Sequence, residues 1–303
     1  MTVVSNTIAG GPSVIPETQT GHEATKGLPG QKIFDQRHAS PTAKPGRKVR
    51  FRIKRQDGPG KPARWEEFEV PVFRGANVIS CLQAIAANPV TTDGRPSTPP
   101  VWDSGCLEEV CGSCTMLING KVRQSCSALI DTYAPNEGDM VTLEPMTKFP
   151  VIRDLWVDRE RVFAALERVR AWVPIDGTYD LGPGPKESPD AQATHYVLST
   201  CMSCGCCLEA CPQFNLEEDK SKWDTSFIGA HAISQARLFN GHDTGATLKG
   251  ERLDALMAPG GVSDCGNAQN CVKVCPKGIP LTESIAAIGR AVTIHGLTSF
   301  FRR

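Results

Sequence analysis

From Arg47 the chain alternates polar and apolar positions. VRFRIKR (49–55) and, beyond a Gly/Pro-rich turn at 58–62, WEEFEVPVF (65–73) read as a pair of strands, each with one buried face. A short apolar segment at about 76–86 predicts a helix, and TTDGRPSTPP (91–100) is dense in breakers and predicts a loop. CTMLING and KVRQSCSALI then predict two strands joined by an Asn-Gly turn. The first half is thus α+β with a mostly β core.

Beyond about residue 150 the period changes to that of helices. DRERVFAALERVRAW (158–172) sets Val162, Phe163, Leu166 and Val169 on one face, and further helices are expected near 191–200, 228–239, 249–257 and 281–295. GTYDLGPGPKESP (177–189) reads as a loop. No stretch reaches the roughly 18 uninterrupted apolar residues of a membrane span; SIAAIGRAVTIHGL comes nearest and is broken by Arg290. Residues 1–45 hold five Pro and five Gly with little apolar periodicity and predict an irregular arm. Three segments follow: an arm at 1–45, an α+β domain at 46–150 and a helical domain at 151–303.

Thirty-three basic and thirty-three acidic side chains cancel, which removes any charge argument for nucleic acid or an anionic surface. Thirteen cysteines, an odd number gathered in tight runs without a signal-peptide h-region, argue against a secreted disulfide framework. They point to metal chemistry instead.

SGCLEEVCGSC followed by Cys126 gives Cys106, Cys111, Cys114 and a later fourth cysteine, the plant-type [2Fe–2S] ferredoxin spacing. Two sulfide-bridged irons need four thiolates. One loop can present three of them if its backbone wraps the inorganic core, and Gly105, Gly112 and Ser113 supply that freedom. A four-cysteine zinc site is the alternative for the same residues.

CMSCGCCLEACP places Cys201, Cys204, Cys207 and Cys211 before Pro212 in the bacterial ferredoxin run, and CGNAQNCVKVCP repeats it with Cys265, Cys271 and Cys275 but Ala268 at the second ligand position. In such paired runs the fourth cysteine serves the other cluster. Cys201, Cys204, Cys207 and Cys275 are then the ligands of a [4Fe–4S] centre. Cys211, Cys265 and Cys271 provide three thiolates, the complement of a [3Fe–4S] centre. Cys81 reads as a small buried hydrophobe and Cys206 as a neighbour of the ligands rather than one of them. No dinucleotide fingerprint, P-loop or nucleophile elbow is present, so the chain reads as a conductor without a catalytic residue. Trp65, Trp102, Trp156, Trp172 and Trp223 are expected to pack, His195, His231, His242 and His295 to be structural or exposed, and the closing FFRR to fray into solvent.

With these motifs, the chain from about residue 47 to about 295 resembles the iron–sulfur subunit of succinate dehydrogenase and fumarate reductase, with all eleven ligand positions in agreement. SGCLEEVCGSC, LEPMTKFPVIRDL and NCVKVCPKGIPLTESIA are similar to the branch coupled to a di-haem anchor and menaquinone. The resemblance implies a β-grasp [2Fe–2S] ferredoxin domain followed by a helical bacterial-ferredoxin-like domain. It implies a partner flavoprotein with covalent FAD that handles succinate, and a membrane anchor, with haem, that hosts the quinone. The complex would then sit at the cytoplasmic face of a bacterial plasma membrane. The [2Fe–2S] end would face the flavin, and Pro212 with residues 265–271 would border the quinone. Members of the ubiquinone type carry Trp soon after the Cys-Pro dipeptide and His after the cysteine matching Cys265; here stand Gln213, Phe214, Asn215 and Gly266. Flow in the reverse direction, as in fumarate reductase, and service to another flavoprotein oxidoreductase are the alternative functions.

Overall fold

The computed structural model describes residues 47–174 and 186–301; the expected arm at 1–45 and most of the loop expected at 177–189 lie outside them. Strands β1 (Lys48–Arg55) and β2 (Arg64–Pro71) pair antiparallel over their whole length, Lys48 opposite Pro71 and Arg55 opposite Arg64. Alternation sends Val49, Phe51 and Ile53 into the core, each at 0% exposure. Helix α1 (Val78–Ala87) starts at a reciprocal cap in which Asn77 accepts from the Ser80 amide and Ser80 from the Asn77 amide. It buries Val78, Ile79, Cys81, Leu82 and Ile85 on the sheet, as expected for Cys81.

Strands β3 (Thr115–Ile118) and β4 (Lys121–Gln124) form a hairpin whose turn residues, Asn119 and Gly120, both take positive φ. A four-residue helix α2 (Ile130–Tyr133) then leads to β5 (Met140–Glu144), which inserts parallel to β1 and antiparallel to β3. The sheet order is β2-β1-β5-β3-β4. The sequence alone did not indicate β5, a strand too short to show its period, nor that β4 stops at Gln124 and leaves residues 125–129 irregular before α2.

A small antiparallel pair, β6 (Val151–Arg153) and β7 (Trp156–Val157), leads into helix α3 (Glu160–Arg168). Val162, Ala165 and Val169 form its buried stripe. Phe163, expected on that face, is 55% exposed because it lies one residue, about 100°, off the stripe. The remaining helices are α4 (Pro189–Ser199), α5 (Cys206–Glu209), α6 (Ala230–Gly241), α7 (Lys249–Met257), α8 (Asn270–Val274) and α9 (Leu281–Phe301). α6, α7 and α9 pack together at the centre of this half. α9 stays helical through Phe301 rather than fraying earlier. Among the described residues no helix is long and apolar enough to cross a membrane.

Two apolar cores result, one beneath the five-stranded sheet and one among the helices, the second reaching back to Val122, Met146 and Phe149. Of the tryptophans expected to pack, Trp65, Trp156 and Trp172 are at least 38% exposed. Trp65 is covered instead by the Arg52 guanidinium, 4.7 Å from its ring centre. Arg55, fully buried, is held between Glu66 at 2.5 Å and Asp154 at 3.1 Å, tying β1 to the start of the second half.

Candidate cluster sites

The loop between residue 105 and β3 winds around Cys106. Leu107, Glu109 and Gly112 take φ of 60°, 55° and 70°. These left-handed steps turn successive amides inward, so that the N–H groups of Glu108, Val110 and Cys111 donate to the Cys106 sulfur at 3.2–3.3 Å. The Cys106 amide in turn donates to the Cys111 sulfur at 3.3 Å. Such a nest of backbone donors stabilises negative charge on sulfur. Only Gly112 among the three was foreseeable as a left-handed position; Leu107 and Glu109 are held there by the amide–sulfur bonds.

Cys114 enters β3 and Cys126 leaves β4, and the Ser125 amide and hydroxyl bind the Cys114 carbonyl at 3.1 and 2.8 Å, locking the two ends together. Hydrogen bonding from Cys126 brings the Cys114 thiol down to about 6, and Cys126 is raised as the partner that keeps the proton. Burial works to raise Cys111, but amide and hydroxyl donors from Cys106 and Ser113 bring it down to about 7. A loop that favours thiolates is suited to an electron-poor iron pair.

The two later runs repeat each other in backbone as well as in spacing. Two and four residues after the leading cysteine, Ser203 and Gly205 have φ of 50° and 87°, and Asn267 and Gln269 have φ of 52° and 61°. Ala268 therefore stands in its loop where Cys204 stands in the other. One cavity is lined by Cys201, Cys204, Cys206 and Cys207 together with Cys275 from the far run. The other is lined by Cys265, Ala268 and Cys271 together with Cys211 from the first run. The fold thus brings Cys275 to the cavity of the first run, where Cys206 also stands, and Cys211 to the cavity of the second. Among the described residues, no three or more His, Cys, Asp or Glu side chains converge on one point as a single ion needs; these cysteines instead ring cavities.

Met202, Ile279, Leu281 and the buried His231 also line the first cavity. His231 Nε2 lies 3.1 Å from the Val162 carbonyl, which can only accept, so this nitrogen carries the hydrogen. Burial lowers the imidazole to about 4, leaving it neutral, and its Nδ1 has no hydrogen-bond partner. An orphaned polar atom beside a ring of thiols fits a cavity built for a polar inorganic group rather than for packing. Around the second cavity stand Gln213, Asn267, Gln269 and Asn270. A Cβ on Gly266 would meet the Gln213 amide nitrogen at 2.5 Å, so Gln213 fills the space that a side chain at residue 266 would take.

The loops are clamped to one another. Arg159 donates to the Gly112 carbonyl at 2.8 Å and the Ser113 hydroxyl at 3.4 Å, and buried Glu209 accepts from the Thr147 and Lys148 amides at 2.9 and 3.2 Å. Lys148 Nζ donates to the Cys211 carbonyl. Sequence reasoning missed Arg159, Glu209 and the buried Gln124, whose amide nitrogen donates to the Cys206 sulfur at 3.1 Å, since none sits in a recognisable spacing and each acts across the fold.

Residues 50–164 match the family described as a 2Fe-2S iron-sulfur cluster binding domain, and residues 197–279 the 4Fe-4S dicluster domain. The chain is therefore an iron–sulfur protein of the electron-transfer class, with a ferredoxin-type sheet domain ahead of a helical dicluster domain. It is 54% identical to the succinate dehydrogenase iron-sulfur subunit of Bacillus subtilis (strain 168), over 84% of this chain and 96% of the relative. It is 31% identical to the fumarate reductase iron-sulfur subunit of Mycobacterium tuberculosis, over 77% and 87%. The fold matches a chain of the Mycobacterium smegmatis Sdh1 complex in the apo form with a TM-score of 0.65 at 23% identity, covering 82% and 96%. The chain belongs to the family of succinate dehydrogenase and fumarate reductase iron–sulfur subunits.

Proposed function

We propose that this chain carries single electrons from the FAD of a flavoprotein subunit to menaquinone at a haem-containing membrane anchor, in a complex that oxidises succinate. The reading rests above all on the crossed grouping of Cys275 with Cys201, Cys204 and Cys207, and of Cys211 with Cys265 and Cys271. Residues 46–150 would hold a [2Fe–2S] centre through Cys106, Cys111, Cys114 and Cys126. Residues 151–303 would hold a [4Fe–4S] centre through the first group and a [3Fe–4S] centre through the second, where Ala268 offers no fourth thiolate. Each centre, when bound, supplies one reversible electron step.

The protein's own part is to hold and insulate. The amides around Cys106 offset the negative charge of its sulfur, and Leu208, Ile233 and Leu281 keep water from the space between the runs. Succinate oxidation is favoured over fumarate reduction by the higher identity, 54% against 31%, to the succinate dehydrogenase relative. Attachment to the cytoplasmic face of the plasma membrane would come through the anchor.

The test is electron paramagnetic resonance on the natively purified membrane complex, air-oxidised and then given succinate. An oxidised-state [3Fe–4S] signal that disappears with succinate, while a reduced [2Fe–2S] signal appears, is the expected result. A [3Fe–4S] signal absent from iron-replete complex would sink the ligand assignment. One indifferent to succinate would move the chain to another flavoprotein.

A further inference from the structure

Arg159 stands at the N-cap of α3 and reaches across the fold to the loop of the first cysteine set. Its guanidinium donates to the Gly112 carbonyl at 2.8 Å and to the Ser113 hydroxyl at 3.4 Å, the two residues between Cys111 and Cys114 in the chain. The Gly112 carbonyl also accepts from the Thr115 hydroxyl at 2.7 Å, so both of its lone pairs are taken and its peptide is fixed from two directions. Gly112 in turn lies against the backbone of Cys204, with no room for a Cβ between them. The guanidinium therefore grips a residue through which the first cysteine set touches the second. Its charge is poorly matched to these near neighbours. The Arg159 side chain is 13% exposed and its short bond goes to a neutral carbonyl, while Asp103, 36% exposed, stands off at 3.7 Å. A cation drawn out of water beside neutral acceptors carries a desolvation cost that a nearby negative group offsets. A set of thiolates around a cluster is such a group.

We propose that Arg159 is a positioning residue for electron passage from the first centre to the second: it clamps the Gly112 loop onto Cys204, and its charge raises the reduction potential of the [2Fe–2S] centre. The proposal rests on the ligand assignment above. Reduction adds negative charge to the centre and its thiolates, and a fixed cation held against the ligand loop stabilises the reduced form more than the oxidised one. Low exposure of the guanidinium limits screening by water. The step itself moves one electron; the first centre is oxidised as the second is reduced, and no bond forms or breaks. Arg159 belongs to the helical half, so the docking of that half both places the first centre's loop and tunes it.

Redox titration of the purified complex, followed by electron paramagnetic resonance, tests this, with the spin relaxation of the reduced [2Fe–2S] centre reporting how close the reduced [4Fe–4S] centre stands. Arg159→Met is expected to lower the equilibrium constant for [2Fe–2S] reduction about tenfold, a fall of about 59 mV for one electron. The [3Fe–4S] midpoint should stay where it is, and the relaxation should slow as the loops part. Arg159→Lys, which keeps the charge and a donor, should recover most of the midpoint; Arg159→Gln, which keeps a donor without the charge, should not. An Arg159→Met complex with full iron content and an unmoved [2Fe–2S] midpoint overturns the proposal, as does an equal fall in Arg159→Lys or a fall shared by all three midpoints, either of which would make the role one of shape. Unchanged relaxation in Arg159→Met overturns the clamp. If Arg159→Met does not assemble, an unmoved midpoint in Arg159→Gln is enough to reject the proposal. Absence of a [2Fe–2S] signal from the unaltered complex instead removes the ligand assignment beneath it.

Discussion

Gly112 lies directly against Cys204: a Cβ added at residue 112 would stand 2.6 Å from the Cβ and 2.7 Å from the Cα of Cys204. Two loops separated by some ninety residues of chain, one from each cysteine pattern, thus touch through backbone with no side chain between them. Such an approach shortens the distance an electron must cross between the two sites, and it depends on Gly112 twice, for space and for its φ of 70°.

Gly112→Ala is expected to push the loops apart, destabilising the chain by roughly 1–3 kcal/mol through overpacking and lowering the iron bound per chain at both the first and second sites. Iron analysis beside the thermal midpoint of the purified complex checks this. Normal iron with an unchanged midpoint would show that the loops part without cost.

At the third site, Ala268→Cys restores the full run, because the backbone there already copies that around Cys204, with left-handed residues on either side. The variant should lose the oxidised-state [3Fe–4S] signal and bind one further iron per chain. Persistence of that signal with the thiol titrating as free would mean that residue 268 does not face the cavity.

Acid sensitivity should trace in part to Glu66. Burial works to raise its carboxyl, but the Ser97 hydroxyl, the Arg64 guanidinium and the charge of Arg55 together hold it below the usual carboxylate range. A folded value below the unfolded one contributes stability at neutral pH that is lost as pH falls from about 4.3 through the folded value. Glu66→Gln should lower the thermal midpoint at pH 7 and flatten its decline in acid; parallel curves for the two proteins would exclude a contribution from this group.

Arg252 is fully buried; its guanidinium donates to the carbonyls of Arg170, Trp172 and Gly245 at 3.0, 2.9 and 2.6 Å and to the Asn240 side-chain oxygen at 3.1 Å. Arg252→Met keeps the volume but strands those acceptors, and each buried acceptor left unpaired costs about 1–3 kcal/mol. A large fall in thermal midpoint is expected, with the cluster spectra of the folded fraction unchanged. A fall of less than a degree would mean that water replaces the guanidinium.

Local pattern carried much of the architecture. The β1–β2 pair, α1 and the Asn-Gly hairpin follow from periods of 2 and 3.6 and from one turn dipeptide, and α7 begins and ends where its pattern does, at residues 249 and 257. β5 escaped because five residues within an ordinary stretch show no distinctive period and become a strand only between β1 and β3. Phe163 escaped because a helix shows several faces, and packing against α6 selected the one through Val162 and Val169.

The sequence by itself determined the spacing of the cysteine runs and the missing thiolate at residue 268, since spacing is a property of the local chain and a run missing one thiolate states its deficit without coordinates. Only the tertiary structure decided what surrounds them: that Gln124 reaches Cys206, that His231 borders the ring of thiols, that Gly112 meets Cys204 and that Gln213 covers Gly266. Those pairs are far apart in sequence, their residue types are ordinary, and the contacts exist only once distant segments pack against each other. A hydrogen bond between distant residues depends on distance and direction, and neither is written in the chain until it folds.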